Sequence, residues 1–388
     1  MSEAAVTQRG TRAPGDDHAL AVAGWPAPDA RRRLQQALGA LWLLDAILQY
    51  QPVMFTRAFS QMLAAAAEGN PAFVSRPILW DAHLVGQHPV PLNTAFATIQ
   101  LLLGLGIAWR PTVRLALGAS IVWALGVWWF GEGLGGVLTG TASPLSGAPG
   151  PVILYALLAV LLWPRDRGAT AAGSGGPAVP FVAARAVGAP AARALWLVLW
   201  ASLAYFALLP ANRAPQALHT MLSGMTAGEP AWLAAAGQRS AALLAHQGLA
   251  ASVGLAAILG LIAVGVYLPP SAARAVLAVA ALLAAAIGIA GQDLGGILTG
   301  SGTDPESGPL LILLVFAYWP ARTGAPRTDA PRTDGPSAHG VRSDRLRSDR
   351  LRPDRVRPDG VQTDRTADVG RSAGPGTAAH RPAGRPVT

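Results

Sequence analysis

The sequence has no cysteine, no lysine and little charge of either sign. Without cysteine, disulfides, thiolate metal sites, iron–sulfur clusters and thiol catalysis are excluded. Charged residues make up only 13% of the 388 positions, about half of what a soluble globular protein carries. A water-soluble domain of this size would need more charge to cover its surface, so the composition favours a membrane protein.

Apolar residues are gathered into stretches about as long as a membrane-spanning helix, which needs about 20 residues. The pattern predicts an all-α integral membrane protein with about eight transmembrane helices. The predicted spans lie near 34–55, 92–109, 113–130, 148–163, 193–210, 241–268, 272–290 and 307–319. The residues before them are polar and lack the apolar core of a signal peptide, so the first span is expected to be retained.

Internal repetition is the most specific feature of the sequence. Residues 131–140 read GEGLGGVLTG, and residues 291–300 read GQDLGGILTG. Three further matches keep the same order: 40–44 with 194–198, 69–71 with 228–230, and 162–164 with 318–320. An even number of spans in each unit predicts two tandem parallel four-helix repeats that face the same way across the membrane.

The domain organisation follows from the repeat and from shifts in composition. We predict a disordered lead (1–30), a first membrane repeat (31–164), a cytoplasmic linker (165–192), a second membrane repeat (193–320) and a disordered tail (321–388).

Arginine is concentrated on one predicted side of the membrane. It stands directly before the first span and in the short loops near positions 110, 165 and 274, whereas the glycine-rich loops 131–147 and 291–307 contain none. The positive-inside rule then places both termini in the cytoplasm. Arginine as the only basic residue type in a chain rich in Ala, Gly and Pro is typical of a GC-rich bacterial genome. We therefore expect a multi-pass protein of the bacterial plasma (inner) membrane, with the lipid bilayer as its first partner.

The tail carries fourteen arginines against eight aspartates and repeats every five residues over part of its length. Alternating charges and prolines leave no apolar face to bury, which predicts disorder. One interpretation is attraction to anionic lipid headgroups; the other is an expanded repeat with no role. The charge distribution gives no reason to expect a nucleic-acid partner.

The glycine-rich loops before the fourth and eighth spans form a candidate binding region. The apolar run 309–319 has eleven residues, or about 17 Å of helix, against a hydrocarbon core of about 30 Å. The loop itself is then expected to enter the membrane. Interrupted segments at matching places in two halves indicate a binding site, although glycines also permit close helix packing.

Polar side chains in these loops are the candidate ligand-binding groups. Glu132 aligns with Gln292, whereas Asp293 aligns with a glycine. An acid below the headgroups is costly and usually functional, while one in the interface is merely solvated. We expect a shared polar pocket at the repeat interface, lined by Glu132, Gln292, Asp293, Thr139 and Thr299.

Asp45 and Gln49 lie one helical turn apart inside the first predicted span and share a face. A charge at the bilayer centre costs several kcal/mol, so this face is expected to look inward. Substrate contact and hydrogen bonding between helices are both consistent with the pattern. The aligned position in the second repeat is Leu199, so the two repeats are not equivalent here.

The sequence contains no motif for catalysis, phosphate binding or metal binding. It has no recognisable catalytic triad order, phosphate-binding motif or metal-ligand spacing. No catalytic residue or metal ligand is predicted, enzymatic activity is not favoured, and cofactors and protein partners cannot be read from the sequence.

Residues 100–114, QLLLGLGIAWRPTVR, resemble the middle of the DoxX-like membrane proteins, which are four-helix units. The resemblance implies two fused copies, and it implies by analogy a link to quinone-linked sulfur oxidation or oxidative-stress complexes. The leading hypothesis is a ligand-binding or accessory subunit with a polar cleft at the repeat interface. The alternatives are a small secondary transporter and a quinone-linked membrane oxidoreductase component.

Overall fold

A computed structural model describes residues 29–165, 180–226 and 228–320. The predicted tail, nearly all of the predicted lead and half of the predicted linker lie outside these ranges. Every regular element in the described ranges is helical. The first half (residues 29–165) contains α1 (Ala30–Gln49), α2 (Arg57–Ala65), α3 (Ala72–Gln87), α4 (Pro89–Ala108), α5 (Val113–Phe130) and α6 (Pro151–Leu161).

The second half (residues 180–320) has a similar series of helices. They are α7 (Val182–Val187), α8 (Ala189–Ala207), α9 (Pro210–Arg213), α10 (Ala217–Met225), α11 (Ala231–Leu243), α12 (Gly248–Gly265), α13 (Pro270–Ala286) and α14 (Ser307–Ala317). The short helix α7 falls inside the predicted linker. Tight 3₁₀ turns form within both glycine-rich loops, at Gly133–Gly136 and Asp293–Thr299.

Five of the described helices are long and apolar enough to cross a membrane: α4, α5 with the turn before it, α8, α12, and α13 with the π-helical turn that extends it to Gly291. The helices at the predicted fourth and eighth spans, α6 and α14, are apolar but only 11 residues long. Helix α1 has 20 residues but includes three arginines and Asp45. The described part of the chain is thus all-helical, with several helices suited to a membrane.

Local signals in the sequence explain where the helices begin. The side chain of Asp29 accepts a hydrogen bond of 2.7 Å from the backbone N–H of Arg31 at the start of α1. Thr56 caps α2 in the same way, accepting from Ala58 at 3.2 Å. Proline occupies the first turn of α4, α6, α8 and α13, where its missing N–H costs nothing.

Close packing of small residues holds α1 against α4. A Cβ on Gly39 would come within 3.0 Å of the carbonyl oxygen of Gly104, so neither position has room for a side chain. The indole of Trp42 on α1 also donates a hydrogen bond of 2.9 Å to Ser120 on α5. The same inward face of α1 carries Asp45.

The two short helices lie where the halves meet. Helix α6 packs against α14, and α14 also contacts α1. Tyr155 on α6 and Leu310 on α14 are fully buried. Large apolar side chains point outward elsewhere, including Leu115, Leu261 and Leu282, which are 78%, 66% and 71% exposed. This outer surface fits contact with lipid.

Candidate functional site

Both glycine-rich loops turn through the same left-handed backbone. Leu134 and Gly135 have φ of 58° and 61°, and Leu294 and Gly295 have φ of 55° and 72°. A leucine in this region is strained, because its Cβ crowds the following carbonyl. A strained conformation that recurs at the same place in both loops is held there by the surrounding structure.

Gly135 and Gly295 allow backbone to approach backbone. A Cβ on Gly135 would overlap the carbonyl oxygen of Pro149, and a Cβ on Gly295 would overlap that of Asp304. Each loop is therefore folded tightly against the segment that leads into its short helix. The packing interpretation of these two glycines is the one that the geometry favours.

Thr139 and Thr299 stabilise the loops from within. Each hydroxyl donates to the carbonyl three residues earlier, Gly136 at 2.8 Å and Gly296 at 2.7 Å. Each also accepts a hydrogen bond of 3.1 Å from the backbone N–H two residues later. These hydroxyls are engaged with their own loops.

Glu132 and Gln292 hold the first turns of the short helices. The Oε1 atom of Glu132 accepts a hydrogen bond of 3.0 Å from the backbone N–H of Val152 in α6. The Oε1 atom of Gln292 accepts one of 3.3 Å from Gly308 in α14, and its Nε2 donates to Ser307 at 2.7 Å. The second carboxylate oxygen of Glu132 is buried without a hydrogen-bond partner.

Asp45 and Gln49 both face inward on α1, with exposures of 2% and 3%. Gln49 donates a hydrogen bond of 2.5 Å to the Oδ1 of Asn93 on α4, and the Nδ2 of Asn93 donates to the Gln49 carbonyl at 2.9 Å. Gln49 is thus occupied in joining two helices. Asp45 faces the Tyr155 hydroxyl without a hydrogen bond of ordinary geometry, and its Oδ1 has no partner.

A segment of the second half crosses into the first. Gln51, just after α1, donates a hydrogen bond of 3.5 Å to the carbonyl of Gly302. The next two residues, Thr303 and Asp304, then line a cavity whose other walls belong to the first half. Asp45, Glu132 and Asp304, from distant parts of the chain, therefore line the same cavity.

This cavity has a volume of about 680 Å³. Its wall is mostly apolar and aromatic, with contributions from α1 to α6, and no arginine or histidine of the described ranges lines it. Four of the lining residues each carry a buried polar atom that has no hydrogen-bond partner among the described residues: Asp45 Oδ1, Gln100 Oε1, Trp123 Nε1 and Glu132 Oε2. Buried polar groups are usually satisfied, so four unsatisfied atoms in residues around one space mark it as a candidate binding site.

A second, more polar pocket of about 380 Å³ lies under the glycine-rich loops. Thr139 and Glu306 line it, whereas Glu132, Thr303 and Asp304 line both this pocket and the larger cavity. These three side chains therefore lie between an apolar space and a polar one.

Burial sets the electrostatics of the loop carboxyls. It raises the pKa of Glu132 well above its ordinary value, and the nearby Asp304 adds to the shift. Burial and then Asp304 raise the pKa of Glu306 to about 8, and burial also raises the pKa of Asp304. Within the described ranges, none of these carboxyls forms an ion pair with an arginine. Raised pKa values favour the protonated forms, so the cluster is suited to holding protons.

Asp293 forms a separate feature of the second half. It has φ of 46° where the first loop has Gly133 at 55°. It is 3% exposed, and neither carboxylate oxygen has a hydrogen-bond partner among the described residues. Burial, and next the neighbouring Glu229, raise the pKa of Asp293 to about 6. It lines neither of the two spaces described above.

The structure therefore brings together only part of the predicted site residues. Asp45, Gln49 and Glu132 line one cavity, and Thr139 lines the adjoining pocket, whereas Gln292, Asp293 and Thr299 line neither space. Sequence reasoning missed Asp304, Glu306 and Tyr155. The available signal was Asp304-Pro305-Glu306, two acids in a loop that is otherwise nearly uncharged.

Among the described residues, no group of three or more His, Cys, Asp or Glu side chains could hold a metal ion. Known proteins provide no further assignment: no protein-family model matches this chain, and neither a curated protein nor a solved structure shows significant similarity to it.

Proposed function

We propose that this chain is a multi-pass membrane protein that binds a small ligand in the cavity of about 680 Å³. The observation that carries the proposal is the set of four unpartnered polar atoms on a mostly apolar wall. Ligand pockets combine these two properties, and they typically have volumes of about 300 to 1,000 Å³. Because the second half contributes Asp304 to this wall, the site lies at the junction of the halves.

The two tandem repeats, with α6 and α14 as fourth and eighth spans, belong to the same proposal. The equivalent hydrogen bonds of Glu132 and Gln292, and those of Thr139 and Thr299, support a common ancestor for the halves. A location in the bacterial inner membrane with both termini cytoplasmic also remains proposed, on the arginine distribution. The DoxX-like resemblance stays a prediction from residues 100–114, as does a role as an accessory subunit.

Cavity binding is tested by filling the cavity. Gly126 lines it, and a Cβ there would meet no atom within 4 Å, so Gly126→Trp should occupy the space without disturbing α5. Gly254 on α12 is equally unobstructed but lines neither space, which makes Gly254→Trp the matched control. The probe is N-phenyl-1-naphthylamine, an uncharged apolar dye, added to the protein in lipid nanodiscs.

We expect saturable dye fluorescence beyond that of empty nanodiscs, lost in Gly126→Trp and kept in Gly254→Trp. Fluorescence equal to that of empty nanodiscs, or equal loss in both variants, would contradict a binding cavity at this place.

A second candidate function is proton-linked transport. The observation in its favour is that Glu132, Thr303 and Asp304 border both the apolar cavity and the polar pocket. Carboxyl groups at such a boundary are typical of proton relays in transporters. Proteoliposomes loaded with pyranine and driven by a potassium diffusion potential would report proton uptake, which Glu132→Gln should slow and Glu229→Gln should not.

A further inference from the structure

We propose that the ligand of this cavity is a lipophilic organic cation, such as a hydrophobic amine or a quaternary ammonium or phosphonium ion. The inference rests on the proposed function and adds the chemical class of the ligand. It is carried by the charges, the aromatic wall and the lipid-facing side of the cavity.

Among the residues that the structure describes, the ionisable groups on the cavity wall are all acidic. They are Asp45, Asp81, Glu132 and Asp304, and no described arginine or histidine lines the cavity. Tyr155 faces Asp45 from α6, and Glu306 acts on Glu132 from the crossing segment. An anionic ligand would add unpaired negative charge to a poorly hydrated space, whereas a cation would neutralise the buried carboxylates.

The unpartnered atoms are of the kind that a cation needs. Asp45 Oδ1 and Glu132 Oε2 are both buried on this wall without a hydrogen-bond partner, and Asp45 is only 2% exposed. Carboxylate oxygens accept hydrogen bonds from an ammonium group and attract a quaternary one. The geometry therefore points to the space bordered by Asp45 and Glu132 for the charged centre of the ligand.

Aromatic rings provide part of the remaining wall. Phe96 lies between Phe59 and Trp123, with ring centroids 6.4 Å and 5.7 Å away, and all three rings line the cavity. Ring faces attract organic cations and pack against apolar groups. A ligand with aromatic or aliphatic substituents around a positive charge fits both properties.

The cavity also reaches the outer surface of the helix bundle. Val122 on α5 lines the cavity and is 73% exposed, and Met62 on α2 lines it and is 40% exposed. Because the exposed face of α5 is apolar, a ligand dissolved in the bilayer has a direct route to the carboxyl groups. A strongly hydrated inorganic ion does not dissolve in the bilayer, so this route does not favour it.

The test compares two probes of nearly equal shape and opposite charge. Tetraphenylphosphonium and tetraphenylborate each compete with N-phenyl-1-naphthylamine on the full chain in nanodiscs, with empty nanodiscs subtracted. We expect the phosphonium ion to displace the dye and the borate ion to do so far less. Phosphonium binding should tighten as the pH rises and the carboxyl groups lose protons.

Variants show which carboxyl groups interact with the positive charge of the ligand. Asp45→Asn and Glu132→Gln should each weaken phosphonium binding by roughly tenfold or more, and by clearly more than they weaken binding of the uncharged dye. Glu229 is a partly buried acid in the second half that lines neither space, so Glu229→Gln serves as the matched control. If Asp45→Asn does not fold, Asp45→Leu, with the residue found at aligned position 199, and the pH dependence of the unmodified protein still decide the matter.

The outcomes separate this inference from the proposed function. Equal competition by the two ions, or displacement by decylubiquinone but not by tetraphenylphosphonium, would overturn the cation assignment and leave a binding cavity. Loss of dye binding in Asp45→Asn together with phosphonium binding would also overturn it, because charge would then not be what the side chain contributes. Absence of dye binding to the unmodified chain would overturn the proposed function itself.

Discussion

The carboxylate of Glu132 accepts a hydrogen bond of 3.0 Å from the backbone N–H of Val152. Gln292 makes the equivalent contact to α14 with an uncharged amide oxygen. Helix capping here therefore requires an acceptor at this position but no negative charge. The charge of Glu132 remains free for another role, which its second, unpartnered oxygen would carry out.

Replacing Glu132 separates these two roles. Glu132→Gln should keep the contact with Val152 and melt near the temperature of the unmodified protein. Glu132→Ala should lose about 1 kcal/mol, as for other deleted caps. Thermal unfolding in detergent measures both, and equal destabilisation of the two variants would show that the charge itself supports the fold.

Gly135 and Gly140 allow two causes of strain in an alanine variant to be compared: a positive φ, and overlap of the new Cβ with neighbouring atoms. Both have positive φ, but a Cβ on Gly135 would overlap the Pro149 carbonyl, whereas a Cβ on Gly140 would meet nothing within 4 Å. Gly140→Ala should cost about 1 to 2 kcal/mol from backbone conformation alone. Gly135→Ala should cost clearly more, and similar melting temperatures for the two variants would argue against tight loop packing.

Asp293 should make stability depend on pH. Its pKa is raised from 3.8 to about 6 in the folded protein, so the folded state holds more protons than the unfolded state between these values. The free energy of unfolding should therefore fall as the pH rises through this window and level off above it. Asp293→Asn should remove this component, as seen in unfolding curves at a series of pH values.

Glu229 provides the control for that measurement, because it is a secondary cause of the raised pKa of Asp293. Glu229→Gln should move the window to lower pH without abolishing it. Titration curves that superimpose for all three proteins would show that Asp293 is not the group responsible.

Accessibility along the glycine-rich loops should be uneven. The native chain has no cysteine, so single replacements report cleanly. Leu138 and Leu298 are 47% and 49% exposed, whereas Leu134 is 9% exposed. Leu138→Cys and Leu298→Cys should react with an impermeant thiol reagent and Leu134→Cys should not, while uniform reactivity would indicate freely exposed turns.

The arginine distribution predicts that both halves end in the cytoplasm. Reporter fusions after Trp163 and after Trp319 should be active with a cytoplasmic reporter and inactive with a periplasmic one. A periplasmic signal at either position would reverse the proposed topology.

The membrane helices were the most predictable part of the fold. The run 113–130 forms a helix with the predicted bounds, whereas the predicted span 241–268 contains the end of α11 and a break before α12 begins at Gly248. The short apolar run before Trp319 also became a short helix. The inward face of α1 followed from the cost of exposing Asp45 to lipid.

The candidate site was less predictable, because it depends on contacts between distant segments. Nothing in the sequence pairs Asp304 with Asp45 or Glu132; their proximity arises from the crossing of one loop into the other half. The same limit explains Asp293, which aligns next to Glu132 in the repeat but lies at a separate place. The roles of Thr139 and Thr299 were equally unpredictable, because the sequence does not show whether a hydroxyl binds a ligand or forms hydrogen bonds within its own loop.

The crossing of Thr303 and Asp304 into the first half also bears on how the protein is made. Chains are synthesised from the N-terminus, and earlier segments fold first. The walls of the cavity that carry Asp45 and Glu132 are therefore in place while the segment that closes them has yet to leave the ribosome. During biogenesis the cavity in the first half therefore stays open until Thr303 and Asp304 are made, and its closure is among the last events of assembly.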